Sequence, residues 1–427
     1  MAFAIKYAKV IRNNWKKSVV AVVSAVYGGK YAKGKYDQEW IRREFCAEAL
    51  KYGSAKISIK ERPRKITVFL NPAASGGGAL KVFEKNAAPI LHAAGLDVNV
   101  VKVEYEGQVK KFLSIMERSD TDGIVVAGGD GTLLETVTGI MRKEDKTFRQ
   151  HIPVGVIPLG LKNRFAKLLF GGDKDEVLLM CECAMSIVRG LGRSVDIISL
   201  KEDNGRTAYA LCGLETGAFM EAEQRKSKYW YFGGLKHRMT YIRSAFSDWP
   251  PVFKAKISYV LATEENTKPK SGQQNQQPNE QPKGSWFSML FKPKIIKPHV
   301  ELTEEETDDE NDMMETRDLS AVELTTVSTC LQDPEQTVKG LEVGIGPAEP
   351  SVWEFITEGW RRVSEPSLRL GTKSNETMLV KKIRIEPEDA TKFYSIDGEL
   401  FESVPVTIEL LKKRIKFFCV DPDFKIS

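Results

Sequence analysis

The sequence predicts an α/β protein in two parts. The first is an N-terminal α/β domain with a parallel sheet; the second is an antiparallel β-sandwich domain carrying a disordered insertion. Three observations predict this. Between Arg64 and Phe170, strand-like runs alternate with runs of helical spacing, as in a parallel sheet covered on both faces. After Gly192 the rhythm changes to short β-rich runs, as in an antiparallel sandwich. Within that second part, Glu265–Ser285 is dominated by Gln, Asn, Pro, Lys and Glu. Such residues bury too little apolar area to offset the entropy of ordering.

The elements follow in order. KITVFLN (Lys65–Asn71) is a buried strand. Leu80 to Ala94 places Leu80, Phe83, Ala87, Ile90 and Leu91 at helical spacing. DVNVVKV (Asp97–Val103) is a strand, Gln108 to Met116 a helix, and GIVVA from Gly123 a strand. Thr132 to Met141 carries Leu133, Leu134, Val137, Ile140 and Met141 on one face, and PVGVIP (Pro153–Pro158) is a fourth strand. The second part offers SVDIISL, AYALCGL, KAKISYVL, TMLVKKIRI, PVTIELL and IKFFC as strands. The expected boundaries are 1–60 for a basic targeting or membrane-associated segment, 61–190 for the nucleotide-binding domain and 191–427 for the sandwich. The insertion is expected at about 265–330.

A chain of 427 residues has room for two or three domains. Its net charge of +5 is small, but the charges are segregated. Met1 to Tyr36 contains no acid and holds Lys6, Lys9, Arg12, Lys16, Lys17, Lys30, Lys33 and Lys35, whereas Glu301 to Glu315 holds acids and no Lys or Arg. The apolar run VVAVVSAVYGG makes a helix of about 18 Å, too short for a hydrocarbon core of about 30 Å. A basic, acid-poor start with a short apolar run favours mitochondrial targeting with attachment to a membrane surface. A signal anchor for another membrane and a plain basic helix are the alternatives. No nucleic-acid partner is expected. The six cysteines are scattered, which excludes a disulfide-built small domain. Cys181 and Cys183 form a C-x-C without a matching second pair, so ordinary buried or free thiols are expected.

Two strands end in glycine-bearing polar loops: Asn71 to Gly78, and Gly128-Gly129-Asp130-Gly131-Thr132. Ligands of parallel sheets sit beyond the carboxyl ends of the strands. Glycines let a backbone approach phosphate closely, and N–H groups at the following helix start attract anions. Asp130 is then anomalous, because a carboxylate beside phosphates is repelled. It becomes sensible if a metal ion bridges them, or if it takes a proton from an attacking hydroxyl. The chain has neither G-x-x-x-x-G-K-[ST] nor G-x-G-x-x-G, so it is no P-loop protein and the dinucleotide reading weakens.

NPAASGGG, GGDGTLLE, IPLGLKNRFA and the late DGE (Asp397-Gly398-Glu399) occur in the order of the diacylglycerol kinase catalytic-domain family, which the chain resembles. FEKNAAPILH, EYEGQVKK and SKYWYFGGLK resemble its mitochondrial members that act on acylglycerols. The resemblance implies ATP and Mg²⁺ as cofactors. It implies that Asn71, Gly76 and Gly78 line the ATP phosphates. Gly128, Gly129, Gly131 and Thr132 would form the nucleotide floor, with Asn163 nearby. Asp130 would orient Mg²⁺ or assist deprotonation, Asp397 would support the turn or water-mediated metal contacts, and Glu399 would be the general base. Glu135 matches a family acidic position, which a solvated helix face explains equally well. Asp196 matches an aspartate that faces the lipid head group in sphingosine kinases, with a purely structural aspartate as the alternative. The chain departs from the family's G-T-x-N-D at Gly160-Leu161-Lys162-Asn163-Arg164, and Val103 stands where a nucleotide-contacting threonine is usual. A lost hydroxyl and a reversed charge each weaken nucleotide binding by about one to a few kcal/mol.

Lys228 to Pro250 mixes Trp230, Tyr231 and Phe232 with Lys228, Lys236, His237, Arg238 and Arg243. This mixture suits a membrane interface or an acyl entrance, or else a core aromatic cluster with a solvated basic face. The resemblance implies an ATP-dependent lipid kinase phosphorylating monoacylglycerol and diacylglycerol to lysophosphatidic and phosphatidic acid, at the mitochondrial inner membrane or in the intermembrane space. The alternatives are a kinase-independent membrane scaffold of the inner-membrane carrier translocase, and a ceramide or sphingosine kinase.

Overall fold

The computed structural model describes residues 14–55, 62–172, 174–246, 249, 252–262, 314–329, 339–364, 376–389 and 391–419. The chain divides into two units. The first is Met1–Val195 with Asp397–Glu399 and Arg414–Ser427; the second is Asp196–Ile396 with Leu400–Lys413.

The first unit begins with α1 (Trp15–Gly53), a helix of 39 residues. Every described side chain from Asn14 to Asp37 is exposed, and burial starts at Phe45 and Ala49. Arg42 Nε donates to Asn86 Oδ1 at 2.7 Å, and Arg189 pairs with Glu48 at 2.7 Å. The short apolar run is thus one stretch of a much longer helix. No helix among the described residues is long and apolar enough to cross a membrane.

The chain then runs through β1 (Lys65–Leu70), α2 (Ala79–Asn86), α3 (Ala88–Ala93), β2 (Asp97–Lys102), α4 (Gln108–Ile115) and β3 (Gly123–Gly128). It continues with α5 (Asp130–Met141), α6 (Lys146–His151), β4 (Val154–Pro158), α7 (Arg164–Phe170) and α8 (Glu176–Arg189). The strands pair in the order β2-β1-β3-β4, all parallel, with Ile66 opposite Gly123 and Ile124 opposite Val154. β3 and β4 are buried throughout, as continuous apolar strands of a covered parallel sheet should be. The single helix expected over Leu80–Ala94 is two helices, because Pro89 in the first turn of α3 cannot continue the hydrogen-bond ladder of α2. Cys181 and Cys183 lie buried in α8 as expected of core thiols, and desolvation pushes the Cys181 thiol up to about 12.

The second unit contains β6 (Thr207–Ala210), β7 (Gly213–Gly217), α9 (Ala218–Arg225), a 3-10 segment over Lys226–Leu235, and α10 (Lys236–Ala245). It is reached through β5 (Gly192–Glu202). Then come β8 (Phe253–Leu261), β9 (Glu315–Ala321), β10 (Glu323–Ser328), β11 (Leu341–Ile345), α11 (Val352–Ser364) and β12 (Glu376–Pro387). β13 (Phe393–Ile396), β14 (Glu399–Glu402) and β15 (Val406–Phe418) end the fold. Pairing here is antiparallel, as expected: β7 with β10, β10 with β11, β11 with β12, β12 with β8 and β15, and β8 with β9. AYALCGL is two strands, broken where Gly213 takes φ 154°. PVTIELL and IKFFC are one strand, bent at Lys413, whose φ is 50°.

The expected insertion at about 265–330 needs correction. Residues 265–313 lie outside the described residues, but Glu315–Ala321 and Glu323–Ser328 are strands, and β10 is buried along its whole length. The acidic run hid them: Leu324, Thr325, Thr326 and Val327 are good strand formers whose fit depends on neighbours far along the chain. α9, α10 and α11 bury Phe219, Tyr241 and Phe355 between them. At their base Arg362 binds Glu323 through two hydrogen bonds of 2.5 and 2.7 Å, also meets Glu358 at 2.9 Å, and lies 4.0 Å over the Phe219 ring.

Candidate active site

Asn71, the two glycine loops and Asn163 lie at the carboxyl ends of β1, β3 and β4, whereas Asp397 and Glu399 belong to the β13–β14 turn and Asp196 to the second unit. Asn71 follows β1 and bonds the neighbouring strand end through its N–H to Ala127 O, 3.0 Å. Its side chain donates to Thr132 Oγ1 at 3.0 Å and accepts from Ala73 N–H at 3.0 Å. Asn71 is therefore a brace between the two glycine loops. The first loop then turns left-handed over three successive residues: Ser75 at φ 52°, Gly76 at 63° and Gly77 at 88°. Ser75 is strained there unless something holds it, and its Oγ donates to Leu159 O at 2.8 Å. Composition gave no reason to single out Ser75; the loop's crossing to the end of β4 is a tertiary fact. Gly78 has ordinary backbone angles.

The second loop is packed by bare backbone. A Cβ at Gly129 would lie 3.2 Å from Gly160 Cα, and one at Gly128 would lie 2.9 Å from Thr132 Oγ1. Leu159 N–H donates to Gly128 O at 2.9 Å. The Gly160 turn is closed by Asn163, which accepts from Gly160 N–H and donates to Gly160 O, both at 2.8 Å, from a left-handed backbone at φ 50°. Asn163 thus shapes the turn. Leu161, in the family's threonine position, is 94% exposed. A cleft of about 310 Å³ is lined by Pro158, Asn163, Lys167, Lys174, Glu176 and Leu179.

Asp130 is answered for by its neighbours. Its Oδ2 accepts from Arg164 N–H at 3.0 Å and its Oδ1 from Phe165 N–H at 3.4 Å. Both amides belong to the first turn of α7, which has no partner for them within the helix. The carboxylate in the glycine turn therefore caps a helix that starts at the next strand end. Glu135 does the same for another helix. It is 9% exposed, and its Oε1 accepts from Val109 N–H at 3.0 Å and Lys110 N–H at 3.4 Å. It is neither on a solvated face nor in the glycine turn.

Asp397 and Gly398 have φ of 51° and 99° and join β13 to β14 in a two-residue hairpin turn of the kind Asp-Gly favours. Asp397 is buried, while Glu399 is exposed. The tip belongs to the first unit, and the Glu399 carboxylate lies against Gly131, where an added Cβ would overlap its Oε1. A residue from near the end of the chain thereby stands over the turn that holds Asp130. Asp196 is in the second unit, 1% exposed; its Oδ1 accepts from Lys413 N–H at 2.7 Å and so holds the bend in β15. Its Oδ2 has no hydrogen-bond partner among the described residues.

Comparison with known proteins places this geometry. The profile described as acylglycerol kinase C-terminal matches residues 211–425, and the diacylglycerol kinase catalytic domain matches residues 65–200. A mitochondrial acylglycerol kinase of Homo sapiens is 36% identical over 427 residues, covering 97% of this chain and 96% of the relative. The chain belongs to the acylglycerol kinase family. The Xenopus laevis member is 35% identical over 430 residues, with 98% and 96% covered. A diacylglycerol kinase structure from Bacillus anthracis aligns with a TM-score of 0.51 at 18% identity, over 85% of this chain and 99% of that one, and shows the same fold. As a member of the acylglycerol kinase family the chain is a lipid kinase, and ATP use follows from the family. Residues 8–119 also match the profile of the inner membrane protein import complex subunit Tim54.

Proposed function

We propose that this chain transfers the γ-phosphoryl group of ATP to a free hydroxyl of monoacylglycerol or diacylglycerol, yielding lysophosphatidic or phosphatidic acid, at the mitochondrial inner membrane or in the intermembrane space. One observation carries the reading: the exposed Glu399 carboxylate stands over Gly131, at the start of the helix that follows the phosphate-type glycine turn. An acceptor hydroxyl placed there gives its proton to Glu399 as its oxygen bonds to phosphorus, and ADP leaves with the electrons of the broken phosphoanhydride bond. The amides of Gly76–Gly78 and Gly129–Thr132 are proposed to hold the phosphates, with the Asn71–Thr132 bond fixing the spacing of the two loops.

Among the described residues no group of three or more His, Cys, Asp or Glu side chains could cage a metal ion. Mg²⁺ commonly takes one or two carboxylates plus substrate phosphates, so we treat it as arriving with the nucleotide, as MgATP. Asp130 retains lone pairs beyond the two its amide partners use, and with Asp397 it is proposed to meet that ion, directly or through water. Asp196 Oδ2, buried and unpartnered among the described residues, is the acceptor proposed for a head-group hydroxyl.

The test is a phosphorylation assay on the full chain with MgATP and, in turn, acylglycerols, ceramide and sphingosine in detergent micelles. Glu399→Gln should lower kcat by about 10²–10⁴ with the melting temperature unchanged. No product from any acylglycerol refutes the substrate assignment, and preferential labelling of ceramide or sphingosine transfers it to those lipids. A second reading is favoured by the match of residues 8–119 to an import-complex subunit: a scaffold of the carrier translocase that works without phosphorylation. Glu399→Gln protein that still co-purifies with the translocase and restores carrier import supports it; loss of both with catalysis opposes it.

A further inference from the structure

We infer that the segment Lys226–Leu235, between α9 and α10, is a docking surface for the anionic face of a lipid bilayer. The sequence left open whether its aromatic residues form a core cluster or meet a membrane. The structure places them outside: Trp230 is 76% exposed, Tyr231 61%, Phe232 38% and Leu235 59%. Their rings lean on one another, with Tyr231 and Phe232 4.6 Å apart and Trp230 and Tyr231 6.2 Å apart. The backbone is bent at Tyr229 and again at Gly233, which takes φ 54°. A Cβ at Gly233 or Gly234 would meet no heavy atom within 4 Å, so the tip is open.

The mount beneath it is fixed. Ala222 and Tyr241, on the flanking helices, are buried, and Thr240 Oγ1 donates to Ala222 O at 2.8 Å. An exposed apolar surface on a firm base excludes a simple flexible loop. Its charge selects the occupant. From Gln224 to Phe246 there is no acidic residue; Arg225 and Lys226 pair with Glu221 and Glu223 just before it, and Lys228, Lys236, Arg238 and Arg243 add further basic charge. Trp and Tyr settle at the head-group level of bilayers, and long basic side chains beside them reach anionic phosphates. Protein–protein interfaces, in contrast, are poor in lysine. Aromatic tips ringed by cations therefore favour lipid over a protein partner.

The inference extends the membrane part of the proposed function, and its biological use rests on that reading; the binding itself needs no catalytic step. The full chain is mixed with vesicles of phosphatidylcholine alone or with phosphatidylglycerol, and partition and amide hydrogen exchange are measured. Exchange over residues 226–238 should slow with the anionic vesicles. Replacing Trp230 and Tyr231 together by Ala should lower partition about tenfold or more, and Lys228→Glu should lower it about fivefold on anionic vesicles and hardly at all on phosphatidylcholine. Glu399→Gln should partition as the parent does, which separates this surface from the kinase reading. Unchanged exchange over 226–238 while the protein binds vesicles overturns the inference. So does protection of the segment by purified translocase subunits and not by vesicles, which assigns it to a protein partner.

Discussion

Replacing Asp130 tests whether its carboxylate is first a cap and only then a ligand of MgATP. Asp130→Ala removes the acceptor of the Arg164 and Phe165 amides, which bond to it at 3.0 and 3.4 Å. Loss of a good N-terminal cap costs about 0.5–2 kcal/mol, and loss of a negative charge at that helix end about 0.3–1 kcal/mol. The second bond is long, so the two effects together come to about 1–2 kcal/mol. In a domain of this size that lowers the melting temperature by about 2–8 °C. Asp130→Asn keeps an acceptor oxygen and loses only the charge, so it should melt within about 1–4 °C of the parent. If Asp130 also meets the metal of MgATP, directly or through water, the Asn variant should still lose about 10–100-fold in nucleotide affinity or turnover, well beyond its stability change. Calorimetry of both variants, with kinetics measured well below either melting point, separates the two roles. An Ala variant that melts with the parent refutes the capping argument. An Asn variant with unchanged dependence on MgATP refutes the second role.

Gly131→Ala puts a methyl group where the Glu399 carboxylate lies, so stability should stay within about 1 kcal/mol while kcat falls about 10²-fold; an active variant would place the base elsewhere. Glu135→Ala leaves the Val109 and Lys110 amides without their acceptor and should cost about 1–3 kcal/mol, read by denaturant unfolding, with activity per folded molecule retained. Burial alone would raise Glu358, but hydrogen bonds from Arg361 and Arg362 overcome it and hold its carboxyl below the usual range. Its contribution to stability is therefore present above the unfolded-state value of about 4.3 and is lost as pH falls through the folded value. Glu358→Gln should flatten that part of the acid limb in melting curves. Cys181 and Cys183, raised by burial, should resist alkylation near pH 8 in the native protein and react on unfolding, as mass spectrometry would show.

Much of the first unit was legible because its strands are continuous apolar runs and its loops carry glycines at the strand ends. Asp397-Gly398 is legible as a family motif; that it also makes the hairpin turn follows from two residues that tolerate positive φ. What short-range patterns could not show is where carboxylates point. Asp130 meets amides at the start of α7 and Glu135 meets amides at the start of α4, and neither helix is adjacent in sequence to its cap. Chemistry alone suggested a cation or a proton for Asp130; the fold first supplies two N–H groups. β10 was hidden for a related reason: beside an acidic run, its Thr and Val residues declare a buried strand only once β7 and β11 flank it. The resemblance in DGE pointed to Glu399, and the structure adds that its carboxylate lies where a Gly131 side chain would stand.

The first unit is completed by a strand far along the chain. Phe417 pairs with Val154 at the open side of β4 and packs its ring 4.7 Å from Phe165. During synthesis on a ribosome, β4 emerges long before this partner does. The first unit therefore cannot complete its sheet, or receive Glu399, until the chain has been translated past Glu399 and Phe417. A premature stop anywhere before that point would release an N-terminal half with an unclosed strand edge and no proposed proton acceptor. Truncations of this protein should for that reason behave as folding defects, cleared by chaperones and proteases, rather than as stable fragments with partial turnover.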